Sequence, residues 1–129
     1  MASDAHRTIA ECWMDDVFVR GDMEALDELL ASEFISTDLS GRVGAQGVEA
    51  FKKWLRWYRS SFTDAEWTIH ELLEEGENVV LRYAGRTTSQ GGLLDIPSKK
   101  QRVTEMGILI FRIREGKITE EINTHVNFF

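Results

Sequence analysis

At Ala65 the periodicity of the sequence changes, and that change limits the folds open to it. Upstream, apolar residues recur three or four positions apart, as on one face of a helix; downstream they alternate, as on one face of a strand. Ala5, Ile9, Trp13 and Val17 predict a first helix, with Ser3 or Asp4 as N-cap and Gly21 as its stop. Asp22 caps a short second helix carrying Met23, Leu26, Leu29 and Leu30, and Phe34 to Thr37 reads as a brief strand ended by Asp38. A loop with Gly41 and Gly44 leads to a third helix striped by Val48, Phe51, Leu55, Tyr58 and Phe62. Beyond Ala65, Trp67, Ile69, Glu71 and Leu73 alternate up to a turn at Gly76. Strands follow over 79–89, 101–114 and 117–128, separated by a loop carrying Gly91, Gly92 and Pro97 and by the tight turn Glu115 and Gly116. Helices first and strands later predict an α+β domain whose antiparallel or mixed sheet has helices on one face. Strands this long twist strongly and can curl around a cavity.

Composition agrees with one domain spanning 1–129. The chain is 43% hydrophobic with a single Pro, and it contains no run of about 18 apolar residues of the kind that spans a membrane. The first seven residues lack the apolar core of a signal peptide, and the lone Cys12 has no partner for an internal disulfide, so a reducing cytoplasm is the expected location. A net charge of −7 disfavours nucleic acid. His6, His70 and His125 lie far apart and Cys12 has no companion thiol, so spacing argues for no metal. No nucleophile elbow, phosphate loop or dinucleotide fingerprint is present, and any chemistry is expected to be cofactor-free.

Three runs carry a family resemblance: Arg82-Tyr83-Ala84-Gly85-Arg86-Thr87-Thr88-Ser89, then Ile96-Pro97-Ser98-Lys99-Lys100-Gln101-Arg102-Val103-Thr104, then Phe111-Arg112-Ile113-Arg114-Glu115-Gly116-Lys117-Ile118. With Arg20-Gly21-Asp22 through Leu29-Leu30 and with Phe62-Thr63-Asp64, their order and spacing resemble the SnoaL-like polyketide cyclase family. The resemblance implies the cone-shaped fold of the nuclear-transport-factor-2-like superfamily, in which helices close a strongly bent sheet over a ligand cavity, and it implies a homodimer formed through the sheet. It also implies His where Thr37 and Ser89 stand, Trp near Ile122 and a catalytic Asp near Val126, and this sequence departs from that pattern at each place. Because the superfamily hosts isomerases, hydrolases, dehydratases and non-catalytic modules, function has to be argued from the pocket.

Two carboxylates are candidates. Asp38 follows the segment after which the resembling isomerases carry their general base; Glu105 interrupts an apolar strand, alternating with Val103, Gly107, Leu109 and Phe111. Desolvation in an apolar cavity raises a carboxylate's pKa toward neutrality, which suits it to take a proton from beside a carbonyl. The bland alternatives are an Asp38 bound to loop amides and a Glu105 paired with an Arg at an interface. A two-residue turn at Glu115 and Gly116 places Glu105 opposite Val126, and a three-residue loop places it opposite His125 as a proton-shuttling pair. The last strand offers an apolar row, Ile122, Val126 and Phe128, and a polar row, Asn123, His125 and Asn127; pattern predicts the apolar row inside and His125 outside. Trp13, Trp54, Tyr58, Trp67, Tyr83, Ile122 and Val126 are the expected pocket lining, and Arg82 and Arg86 are expected in surface ion pairs.

The reading that results is a cofactor-independent isomerase, cyclase or dehydratase for a small apolar carbonyl compound, with Asp38 as base and Glu105 or Tyr83 as donor. A non-catalytic binding or association module is the alternative. An enzyme requires one of the acids at the pocket wall; a binding module has both exposed or salt-bridged.

Overall fold

The computed structural model describes residues 3–90 and 100–128, the last four of these by backbone alone. Gly91, Gly92 and Pro97, and the part of the resemblance at 96–99, lie outside the described residues. In chain order the elements are α1 (Asp4–Glu11), a π-helical continuation (Cys12–Val19), α2 (Met23–Leu29), β1 (Leu30–Thr37), β2 (Val43–Gln46), α3 (Val48–Ser61), β3 (Phe62–Glu75), β4 (Asn78–Ser89), β5 (Gln101–Arg114) and β6 (Lys117–Phe128). Ser3 caps α1 through His6 N and Asp22 caps α2 through Glu24 N and Ala25 N, as their residue types dictate. Among the described residues no helix is long and apolar enough to cross a membrane.

The strands form one sheet in the order β2-β1-β6-β5-β4-β3. All neighbours are antiparallel except β1 and β6, so the sheet is mixed. It is open, ending at β2 and β3 rather than closing into a barrel. Residues 43–46, read from sequence as loop, form the edge strand β2, with Gln46 opposite Ile35. Two bulges in β3, at 63–66 and 69–71, bend and twist the long strands so that the sheet curves around the helical layer.

The π-helical turns have a packing consequence. A widened turn lets residues five apart share a face, and Trp13 and Phe18 do so, their rings 5.5 Å apart. Trp13 is fully buried against Phe51 and Phe111, and the core continues through Phe34, Leu55, Leu81 and Ile118. Arg59 of α3 fastens the end of this segment, donating to Phe18 O and Val19 O at 3.2 and 2.9 Å. Lys52, buried to 8% exposure, ties α3 to α2 through both oxygens of Asp27.

Candidate functional site

One extra residue decides which groups face the interior. Glu115 and Gly116 form the two-residue turn, both at positive φ, with Arg114 opposite Lys117 and Ile113 opposite Ile118. The next pair is Arg112 with Glu120, so Thr119 is a bulge; its hydroxyl donates to Arg112 O at 3.1 Å. A shift of one residue exchanges the two faces of everything beyond it. Glu105 therefore stands opposite Asn127, neither Val126 nor His125.

That register reverses the expected faces of β6. Ile122 pairs with Ile110, a position on the outer row, so it is not pocket lining, and the register position of Val126, opposite Met106, belongs to that same outer row. The inner row holds Glu121 and Asn123, and the register position of His125, opposite Gly107, belongs to the same row. Glu121 is 2% exposed and accepts from the Ser36 hydroxyl at 2.6 Å.

Glu105 is fully buried on the inner face of β5. The hydroxyl of Tyr58, from α3, lies 2.8 Å from each of its oxygens and shares one proton between them. Tyr58 is in turn wedged by Trp54, stacked at 5.3 Å, and by Phe18 and Phe62. Two glycines make room beside Glu105. Gly85 is its partner on β4, and a Cβ there would lie 2.6 Å from the ring of Trp67; a Cβ on Gly107 would lie 2.7 Å from the Tyr83 hydroxyl. Both aromatic rings thus rest on bare backbone and meet edge-on at 5.3 Å. Burial, then the charge of Glu105, pushes the Tyr58 hydroxyl pKa well up; burial, then Glu121 and Glu105, does the same to Tyr83. Both phenols remain proton donors across ordinary pH. Nearby, Thr87 Oγ1 and Asn123 Oδ1 are buried and make no hydrogen bond among the described residues. Buried polar atoms of this kind call for a partner.

The other predicted site residues fall elsewhere. Asp38 is exposed, and its carboxylate accepts from Ser40 N, Ser40 Oγ and Arg42 N at 2.6 to 3.0 Å. Those bonds, the Ser40 hydroxyl first, hold its pKa below the usual range, opposite to what a base in an apolar cavity requires. Asp38 therefore organises a turn. Trp13 is core and Trp54 is 36% exposed, covering Tyr58 from outside, while Trp67 and Tyr83 line the inner face. Arg82 pairs with Glu71 on the surface, as expected, and Arg86 is exposed. Thr37 and Ser89 are buried. Sequence reasoning missed Glu121, Thr87 and Asn123, and only a correct β6 register would have found the first and last. A surface cleft of about 370 Å³, lined by Phe18, Val19, Arg59, Phe62 and the start of β3, reaches two of the three rings that flank Tyr58. The described residues hold no cluster of metal-ligating side chains.

A helical layer over a curved mixed sheet, with aromatic and carboxylate side chains along the sheet's inner face, defines a fold of the small-molecule cyclase and isomerase type. The model of the SnoaL-like polyketide cyclases matches residues 7–125, and the chain belongs to that family. Solved structures share the fold at low identity. TsrD from Streptomyces laurentii is 22% identical with a TM-score of 0.81, covering 97% of this chain and 90% of that one. IdmH from Streptomyces antibioticus is 21% identical with a TM-score of 0.77, covering 95% and 92%. A SnoaL-like polyketide cyclase from Agrobacterium tumefaciens is 14% identical with a TM-score of 0.78, covering 93% and 90%. No curated protein matches the sequence.

Proposed function

We propose that the protein performs cofactor-free acid/base chemistry on a small, largely apolar carbonyl compound, with Glu105 as the base. The observation that carries this reading is the full burial of Glu105 against the Tyr58 hydroxyl, on an inner face it shares with Trp67 and Tyr83 and with Gly85 and Gly107. Glu105 takes a proton from the carbon next to the carbonyl, and the Tyr58 proton stabilises its carboxylate before the transfer. Tyr83, held protonated by burial and by two negative neighbours, donates a hydrogen bond to the oxygen on which charge develops. Return of the proton to a different carbon completes an isomerisation; attack of the carbanion on a second carbonyl, whose oxygen then takes the proton back from Glu105, completes a cyclisation. Thr87 and Asn123 supply polar contacts that orient the ligand.

A non-catalytic binding module of the same fold is favoured by one observation: Thr37 and Ser89 stand where the family resemblance implies His. In either case the outer face of the sheet, where Met106 and Ile108 are each 40% exposed, is the surface we assign to pairing with a second copy.

Turnover tests the reading. A panel of aryl ketones and 1,3-diketones is offered to the wild type, Glu105→Gln and Asp38→Asn. Loss in Glu105→Gln alone supports it. No turnover of any member by the wild type, with ligands bound equally by all three proteins, supports the binding module.

A further inference from the structure

The outward face of α3 is basic and carries two indoles. Of its fourteen residues four are Lys or Arg and one is Glu, in a chain whose net charge is −7. Lys52 and Arg59 are engaged internally, by Asp27 and by the carbonyls of Phe18 and Val19. Lys53 and Arg56 are exposed and, like Arg7, Arg42, Arg86 and Lys117, form no ion pair among the described residues. Between them in the helix Trp54 is 36% exposed, and Trp57 beyond them is 46% exposed. At helical spacing Lys53, Arg56 and Trp57 are neighbours, one turn apart. An indole left in water beside two unpaired cations is a costly surface for a monomer, and it has the composition of an interface hot spot.

We propose that this face of α3 docks an acidic segment of a partner protein, with Trp57 as the apolar anchor and Lys53 and Arg56 pairing with its carboxylates. Charge complementarity selects the partner: α3 carries four cations against one acid in a chain of net charge −7, so an acidic segment gains attraction along this helix. A lipid surface fits less well. The apolar stripe of α3, Phe51, Leu55 and Tyr58, is packed into the core, which leaves too little outward apolar area to insert into a membrane.

The test uses a fluorescently labelled synthetic helix of about 16 residues with glutamates flanking a leucine stripe, long enough to hold helical structure. Binding is followed by anisotropy for the wild type, Trp57→Ala, the double variant Lys53→Glu/Arg56→Glu, and Arg114→Glu as a charge control, each checked for native circular dichroism. We expect binding that weakens as salt rises from ~50 to ~200 mM. It falls about tenfold or more in Trp57→Ala and in the double variant and is kept in Arg114→Glu, as for an anchor with charged neighbours. Absent binding, or binding indifferent to both substitutions, overturns the proposal. So does equal Trp57-dependent binding to phosphatidylglycerol vesicles, or self-association of the protein that Trp57→Ala abolishes, since each assigns the face to a different occupant.

Discussion

The hydroxyl of Tyr58 lies 2.8 Å from both carboxylate oxygens of Glu105, a contact that joins α3 to the middle of the sheet across 47 residues of sequence. The two groups solve one another's burial. Neither has solvent to satisfy it, so each depends on the position of the other.

Removing one partner is therefore expected to cost more than removing both. Tyr58→Phe takes away the donor and destabilises the fold by about 1–3 kcal/mol, the range for a hydrogen bond to a charged buried group. Glu105→Leu takes away the acceptor and strands the Tyr58 hydroxyl, and the double variant shows a coupling well above the additive limit. Urea denaturation of the four proteins measures this; additive losses would mean that the contact contributes nothing.

Tyr58 and Tyr83 are the chain's two tyrosines, which makes their ionisation readable without labels. Burial, then neighbouring carboxylates, raises both above the usual value of 10.0. A folded pKa raised above the unfolded one means that the stabilisation is complete below that value and is lost as pH climbs past it. The native protein is expected to show no phenolate absorbance at pH about 10, while the urea-unfolded chain shows two half-titrated tyrosines. Stability falls as pH rises further. Normal titration of either tyrosine in the native state would place it in solvent.

Gly107→Ala addresses the seat of Tyr83. A Cβ there would fall 2.1 Å from Thr124 O and 2.7 Å from the Tyr83 hydroxyl, and the first of these is backbone that cannot swing away. We expect a loss of roughly 1–3 kcal/mol, typical of overpacking, and a changed near-ultraviolet circular dichroism as the Trp67 and Tyr83 rings part. An unchanged spectrum would show that Tyr83 does not rest on Gly107. At Gly116, which is also glycine but has open space around it, alanine meets no such wall.

Cys12 should be inert. Burial, helped by Asp16, pushes its thiol up to about 11 from 9.0. At pH 8 the thiolate fraction is then about a hundredfold below that of a free cysteine, and disulfide exchange with an aromatic disulfide slows by about tenfold, because the more basic thiolate is the better nucleophile. A rate equal to that of the unfolded chain would contradict the half-buried placement.

Much of this architecture is legible in the sequence, and the part that is not has a local cause. The long strands announce themselves by alternation, and Glu115-Gly116 marks its turn because both residues need positive φ. Asp38-Leu39-Ser40 is equally readable as a loop-amide motif, and that account of Asp38 prevails over a catalytic one. The bulge at Thr119 carries no such sign: no glycine marks it, and Glu120 and Glu121 are both acids, so the pattern looks the same with either inside. The apolar Ile122 and Val126 then argue for the wrong face. What favours the polar row is tertiary: the Ser36 hydroxyl, brought by the parallel strand β1, meets Glu121 at 2.6 Å. A residue 85 positions away cannot be read from alternation. The edge strand β2 was hidden for a simpler reason, since four residues with a glycine among them show no period.

The polar wall proposed beside Glu105 stands on that bulge, because it is what brings Glu121 and Asn123 to the interior face that Glu105 occupies. Cross-strand amide and Hα contacts in nuclear magnetic resonance spectra of the uniformly labelled protein test it most directly. The account predicts Glu105 opposite Asn127 and Leu109 opposite Asn123, with Thr119 unpaired. Contacts from Glu105 to Val126 instead would mean an unbroken hairpin, an apolar inner row on β6, and neither Glu121 nor Asn123 beside Glu105.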